Sequence, residues 1–281
     1  PGAAARARHR HRAARVRHAV STDIFKTSAR LWRGERVELF GECCGRSCVR
    51  RRQVVIVGAG VVGLFVARAL QEGGMRPLVL DRAGVGAGMS GVQPGGVRQQ
   101  WGTRINCLLA RESLAFYRQA DELLQSPVEL GFRSCGYLFL AHSEAGLTRL
   151  RASVAVQNAA GVPSRLVSPE EACELVPGLR VDSVLGGAWC GEDGYFDRPQ
   201  SVVEALARGL EVEIAAVTSL RPRGTRWELG LSTGERILSE TVVVAAGCAT
   251  VPLLHPLDVR LPIEPERRYL FFSHPIRERL L

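Results

Sequence analysis

Lysine is almost missing from this 281-residue chain: 36 of its 37 basic residues are arginine, and Lys26 is the exception. No apolar run approaches the roughly 20 residues that a helix needs to cross a bilayer, so no transmembrane segment is expected. The eight cysteines are scattered, and only Cys43, Cys44 and Cys48 cluster, in "ECCGRSC". A structural zinc site wants a second ligand pair at a characteristic spacing, and none follows, so no metal is expected. Cys107 and Cys173 fall in apolar helical patterns, where small buried thiols are ordinary, and a reducing compartment is expected. The start of the chain carries no acid before Asp23 and no apolar core of a secretory signal. Internal repeats are absent as well.

What charge there is lies at one end. Residues 1–52 hold 13 Arg and Lys26 against Asp23, Glu35, Glu38 and Glu42, a net of +10, which leaves −1 of the total +9 for residues 53–281. An evenly charged remainder argues against a nucleic-acid partner, and an arginine bias that runs through the whole chain fits a GC-rich coding sequence. Residues 1–52 read as an Arg-rich extension outside the fold, expected to be disordered; an Arg-rich, acid-poor start also fits a mitochondrial presequence. The expected compartment is the cytoplasm, or the mitochondrial matrix if that segment is a presequence. With 46% apolar residues the rest can bury a sizeable core.

From residue 53 the periodicities are clear. "QVVIVGAG" reads as a buried strand, Val61 to Gly73 as a helix stopped by "EGG", and "RPLVLD", 76–81, as a second strand. A glycine-rich loop covers 82–98. Thr103 is placed to cap one long helix from Arg104 to Leu124, with Ile105, Leu108, Leu109, Phe116, Tyr117, Ala120, Leu123 and Leu124 on one side. A strand at 136–141, a helix near 144–160 and a short helix after Ser168-Pro169 follow. Asp197 is placed as the cap of a helix through "RPQSVVEALARGL". "EVEIAAVTSL", "RWELGL" and "RILSETVVVAAG" then read as strands.

The first turn carries the chemistry. In "GAGVVG" Gly58 permits the tight turn, Gly60 lets the backbone reach a pyrophosphate, and Gly63 lets helix and strand pack closely. The helix start offers unpaired N–H groups to the anion. Asp81 ends the second strand 18 residues past Gly63, where a carboxylate accepts from a ribose diol and repels a 2′-phosphate. The ligand is therefore FAD or NAD. A plain NAD domain would enter its next helix soon after Asp81, which the 82–98 loop contradicts. The strand "TVVVAAG", ending about 180 residues later, fits a nucleotide domain that the chain leaves and rejoins.

"VVIVGAGVVGLFVARAL", "LVLDR", "GMSGVQPGGVRQQW", "GYLFLA", "GEDGYFD" and "VVVAAG", in that order, resemble the D-amino-acid oxidase superfamily of FAD-dependent oxidoreductases, in particular its sarcosine and glycine oxidase branch. "LPIEPERRYLFF" resembles the mitochondrial FAD-dependent oxidoreductase-domain proteins linked to respiratory complex assembly. The resemblance implies an α/β fold: a Rossmann-like FAD-binding domain with a split βαβ unit, near 53–100 and 198–255, and an interleaved α+β substrate domain near 126–197 and 256–281. It also implies further chain beyond residue 281, so the sequence reads as a fragment at both ends.

The same resemblance implies FAD, covalent or noncovalent, on Gly58, Gly60, Val62, Gly63 and Asp81. Arg82, Ser90, Gly95, Gly96 and Val97 would lie along the pyrophosphate and flavin, with Val217, Ala246 and Gly247 closing the other side. Arg98 matches the family arginine beside the flavin ring and is the catalytic candidate, as a fork for a substrate carboxylate or a positive charge near the reduced ring. The implied reaction is hydride transfer from the carbon beside the nitrogen of a small amine or amino acid, such as sarcosine, glycine or proline, followed by hydrolysis of the imine. The electron acceptor, oxygen or a carrier, stays open; the missing lysine near the ring points to a dehydrogenase. Asp197 stands where one subunit type has a histidine for a second, covalent flavin, so no second flavin is implied. A non-catalytic FAD-binding assembly factor is the alternative from another class. Tyr137, Trp189, Tyr195 and Tyr269 are candidates for a substrate cage but read first as packing residues, and Glu192 and Asp193 read first as turn chemistry.

Overall fold

The computed structural model describes residues 49–269. Strand β1 (Arg50–Val57) begins three residues before the expected boundary, so Arg50, Arg51 and Arg52 belong to the sheet and not to the extension. The partners are distant in the chain: backbone pairing with Ile237, Leu238 and Ser239 continues the ladder, Arg50 forms a bidentate pair with Glu213, and Arg52 pairs with Glu211. Helix α1 (Val61–Glu72) follows and stops at Gly73, whose N–H returns to the carbonyl of Ala69. Strand β2 (Leu78–Asp81) comes next. The glycine loop after it is interrupted by a single turn, α2 (Met89–Val92), and by the short β3 (Gly96–Val97).

The long helix expected over 104–124 is two helices, α3 (Arg104–Tyr117) and α4 (Ala120–Leu123). Gln119 leaves helical geometry, with φ −114° and ψ 12°, and this turns Ala120 and Leu124 into the core beside Leu130. Asp121 then accepts the Leu130 N–H at 2.7 Å. Tertiary packing overrode a continuous helical pattern. Thr103 holds the cap position of α3 without a side-chain bond.

Strands β4 (Phe132–Ser134) and β5 (Tyr137–Ala141) lead to α5 (Glu144–Ala159), capped by the Ser143 hydroxyl. After β6 (Arg165–Val167) comes α6 (Pro169–Leu175), whose start is the expected one: Ser168 and Glu171 form a reciprocal capping box. Strands β7 (Gly186–Cys190) and β8 (Gly194–Phe196) precede α7 (Pro199–Ala207). Asp197 does not cap α7. Arg198 occupies that position, and the Asp197 carboxylate instead pairs with Arg133 at 2.8 Å.

The stretch expected as one strand, 211–220, is two strands on opposite edges of the sheet, β9 (Glu211–Ile214) and β10 (Val217–Arg223). The break falls at Ala215-Ala216, where the Ala215 N–H bonds to Asp81 and the Ala216 carbonyl accepts from Ser232. β11 (Arg226–Leu231), β12 (Arg236–Val244) and α8 (Thr250–Leu254) complete the described order.

Among the described residues the largest sheet has the order β10-β11-β12-β1-β2-β9. Strands β12, β1, β2 and β9 run parallel, and β10-β11-β12 is an antiparallel arm. The chain thus leaves the parallel sheet after β2 and returns to it in β9. The excursion contains two antiparallel three-stranded sheets, β3-β8-β4 and β5-β7-β6. Strand periodicity sorts the side chains: Val54, Ile56 and Val79 pack with Leu64 and Ala67 of α1 and Val202, Val203 and Leu206 of α7. Val55, Val57, Leu78 and Leu80 face the other way, onto Leu220, Leu229, Leu231 and Ile237 of the antiparallel arm. Each such fully buried side chain contributes about 1.5–3 kcal/mol. The two covered faces leave the carboxyl ends of β1 and β2 as the open edge where a ligand can approach the sheet.

Candidate functional site

The turn after β1 needs glycine at three places for three different reasons. Gly58 has φ +113°, and a Cβ there would run into the carbonyl oxygen of Ala245, the residue that follows β12 and bonds to Val57. A Cβ on Gly63 would collide with the carbonyl oxygen of Gly58, because α1 lies directly on the turn. Gly60 is in ordinary backbone geometry, φ −80°, and a Cβ there would meet only the Ser90 hydroxyl, at 3.1 Å. Gly60 therefore leaves a bare, open backbone surface at the N-terminus of α1, which suits an approaching pyrophosphate. Val62 stands exposed one residue into the helix.

Asp81 ties this turn together. Its Oδ2 accepts the Ala59 N–H at 2.8 Å, and its Oδ1 accepts the N–H groups of Ala83 and Gly84 at 2.9 and 3.1 Å. A carboxylate has about four acceptor positions, so one remains for a hydroxyl. Arg82 is exposed beside it. Ser90 accepts the Val61 N–H at 2.9 Å, occupying one of the unpaired donors of α1. Ala246 and Gly247 follow Ala245 next to this turn; Gly247 has φ +56° and nothing crowding its α-carbon. These residues fit a dinucleotide: the cradle is open at Gly60, closed by backbone at Gly58 and Gly63, and supplied with helix N–H groups.

A cavity of about 660 Å³ runs from this helix N-terminus, at Val61 and Ser90, past Gly96 and Val97 to Arg98. Gly95 backs the wall, with φ +90° and its carbonyl accepting the Phe196 N–H at 2.9 Å. The structure brings Ser90, Gly96, Val97 and Arg98 onto one cavity wall, while Gly58, Gly60, Gly63 and Asp81 belong to the turn that precedes and adjoins Val61 and do not line the cavity themselves. Val217 is not on that wall: it begins β10 and packs into the cluster between the sheet and the antiparallel arm.

Arg98 lies against two aromatic rings. Its guanidinium carbon lies 4.4 Å from the Trp101 ring and 5.0 Å from the Phe139 ring, and its carbonyl accepts the Trp101 indole N–H at 3.2 Å. No carboxylate among the described residues pairs with it. Contact with ring faces leaves the N–H groups of this half-buried cation available to a ligand in the cavity.

Two groups of site residues were not legible in sequence. The first is the face of α3 that carries Asn106, Leu109, Ala110 and Ser113, which lines the cavity; Leu109 is 61% exposed although its spacing matched a packed stripe. The second lies behind Arg98. Asp193 has 0% exposure and accepts the backbone N–H of Gln99 at 2.9 Å and the side-chain amides of Gln99 and Gln100 at 3.4 and 3.3 Å. Burial raises its pKa above the ordinary carboxylate value. The neighbouring Cys190 thiol is pushed up to about 11, by burial first and by Asp193 second. The "DG" pattern does mark a turn, but only tertiary structure shows that the turn points its acid inward.

Of the four cage aromatics, Tyr137 lines the cavity, while Trp189 packs on Gly136, Tyr195 sits in β8 opposite Gly96, and Tyr269 is exposed. Tyr117 joins the cavity from α3, and burial raises its pKa, so it stays a neutral phenol. Glu192 lies 3.5 Å from Arg118. Cys107 is buried as expected, and Cys173 is half-buried. Cys43, Cys44 and Cys48 lie outside the described residues; within them, no cluster of His, Cys, Asp or Glu could hold a metal ion. No helix among the described residues is long and apolar enough to cross a membrane.

The chain is 36% identical over 172 residues to FAD-dependent oxidoreductase domain-containing protein 1 of Bos taurus, a match that spans 57% of this chain and 35% of that protein. It is 30% identical over 207 residues to the mitochondrial dimethylglycine dehydrogenase of Rattus norvegicus, covering 70% of this chain and 24% of that one. The chain thus spans well under half the length of these two relatives. The crystal structure of L-proline dehydrogenase from P. horikoshii superposes with a TM-score of 0.70 at 26% identity, over 78% of this chain and 59% of that one. Residues 53–280 match the FAD dependent oxidoreductase family, and this chain, with its mixed α/β fold and parallel sheet, belongs to that FAD-using family.

Proposed function

We propose that the chain is part of an enzyme that oxidises the C–N bond of a small amine or amino acid of the sarcosine, glycine or proline type. The observation that carries this reading is a single cavity that joins the N-terminus of α1 at one end to the aromatic-flanked Arg98 at the other. The named substrates of two relatives, proline and dimethylglycine, are small amino acids with substituted nitrogens.

Gly58, Gly60, Val62, Gly63 and the α1 N–H groups would hold the pyrophosphate, and Asp81 would accept a ribose hydroxyl with its remaining lone pair. Arg82, Ser90, Gly95, Gly96 and Val97 would extend the binding surface along the cavity, with Ala246 and Gly247 opposite; Val217 would act only through the packing behind them. The chemistry that bound FAD supplies is acceptance of a hydride from the carbon beside the amine nitrogen. Arg98 would fix the substrate carboxylate through its N–H groups, which no carboxylate among the described residues occupies. Leu109, Tyr117 and Val203 would keep bulk water from that space. Of the two compartments, the matrix gains support from the Arg-rich start and the mitochondrial relative; import of a fusion carrying residues 1–52 into isolated mitochondria tests it.

The deciding experiment is anaerobic addition of sarcosine, proline and glycine to the full-length FAD-loaded protein. Bleaching of the yellow flavin band by one of them is the expected result. A yellow protein that no amine bleaches would replace this reading by a non-catalytic FAD-binding assembly factor, and a colourless protein that binds NAD by an NAD-dependent dehydrogenase.

A further inference from the structure

Asp193 is the one fully buried acid among the described residues, and it has no cation partner there. It does not line the cavity. Everything that faces its two oxygens is a donor: the Gln99 backbone N–H, the side-chain amides of Gln99 and Gln100, and the Cys190 thiol. The Gln100 amide also donates to the Tyr137 carbonyl at 2.8 Å, and the Gly136 N–H donates to the Asp193 carbonyl at 2.8 Å. The turn between β7 and β8 is thereby joined both to the segment that follows Arg98 and to the start of β5. β5 carries Phe139, one of the two rings that flank the Arg98 guanidinium.

A buried acid is costly to retain, and an acceptor-only group is required here because an asparagine would turn its own N–H groups toward donors. We propose that Asp193 is a positioning residue for Arg98: it fixes the backbone directly after the arginine and sets that backbone in register with β5, so that the guanidinium meets a substrate carboxylate edge-on. The inference rests on the reading of Arg98 as the carboxylate anchor. It assigns to Asp193 no contact with substrate or cofactor. The raised pKa of Asp193 agrees with its burial.

The test uses the FAD-loaded full-length protein and two probes of one shape, acetate and the uncharged acetamide, titrated against the visible flavin spectrum. The wild-type protein is expected to prefer acetate, and Arg98→Ala to abolish that preference. Asp193→Asn is expected to weaken acetate binding about tenfold or more while flavin content and acetamide binding stay within about twofold of wild type. If Arg98→Ala removes the preference and Asp193→Asn leaves it intact, the positioning role is overturned and the Arg98 reading stands. If Arg98→Ala itself changes nothing, the Arg98 reading fails and takes this inference with it. Parallel loss of acetate binding, acetamide binding and flavin would mean a general loosening and would also overturn the role. Should Asp193→Asn not fold, Gln100→Met removes the link to Tyr137 without altering the acid, and the same two outcomes decide: a selective loss for acetate supports the role, a wild-type preference ends it.

Discussion

Gly60 and Gly63 are three residues apart in one motif, yet the structure predicts opposite consequences for the same substitution. Alanine at Gly60 suits its φ of −80° and meets only a hydroxyl that can rotate away. Gly60→Ala should therefore keep the stability of the FAD-free protein and lose about tenfold or more in FAD affinity, since the methyl covers the surface a pyrophosphate must reach. Alanine at Gly63 drives a methyl into the Gly58 carbonyl, which belongs to fixed backbone. Gly63→Ala should cost about 1–3 kcal/mol before any ligand is added. Urea unfolding of both FAD-free variants, followed by FAD titration, separates the two, and equal stability losses would contradict this division of roles. The close packing at Gly63 was legible from spacing alone. The role of Asp193 was not, because one-dimensional turn chemistry does not say which way an acid points.

Elements show where local signals held and where packing prevailed. The α6 cap was legible: Ser168 and Glu171 stand at the capping-box spacing and form both bonds. Ser168→Ala should cost about 1 kcal/mol in thermal or denaturant unfolding, whereas a change near zero would mean the box adds nothing here. The start of β1 was not legible, because its three arginines resemble in sequence the basic segment before them, and the partners of two of them, Glu213 for Arg50 and Glu211 for Arg52, lie far along the chain on β9. The hydrogen bond from Arg50 is the main cause that lowers the Glu213 pKa below its ordinary 4.5. The stabilisation from this pair is complete above 4.5 and is lost as pH falls through the lower folded value. With both side chains about a third exposed, water screens the pair, and its worth is at most ~1 kcal/mol. Glu213→Gln should lower the unfolding midpoint at neutral pH, and its gap to wild type should close on acidification below about pH 4. A gap that persists in acid would place the stabilisation in packing.

At the scale of the whole molecule, a parallel sheet covered by α1 and α7 on one face and by its own antiparallel arm on the other leaves the β1 and β2 ends open. A ligand bound there contacts the turn after β1, Asp81 and the Ser90 loop together, and all three exist only in the folded chain. Saturating FAD should thus stabilise the fold, by about 2.7 kcal/mol at a hundredfold excess over its Kd. A scan of unfolding midpoint against FAD, NAD and riboflavin checks this: FAD alone should raise it strongly, and an equal response to NAD would undo the choice of ligand. Removing FAD should return the midpoint to its starting value.

By itself the sequence determined the strand–turn–helix at the start of this fold, because "GAGVVG" and "LVLD" act through neighbours close in the chain, and steric need for glycine at Gly58 and Gly63 is a backbone property. Tertiary structure decided the other end. The split of 211–220 into strands on opposite edges of the sheet, the turn of Ala120 and Leu124 into the core, and the packing of Arg98 against Phe139 all depend on residues that lie far apart in the chain. Local propensity carries no information about such partners, and burial of shared apolar surface chooses them.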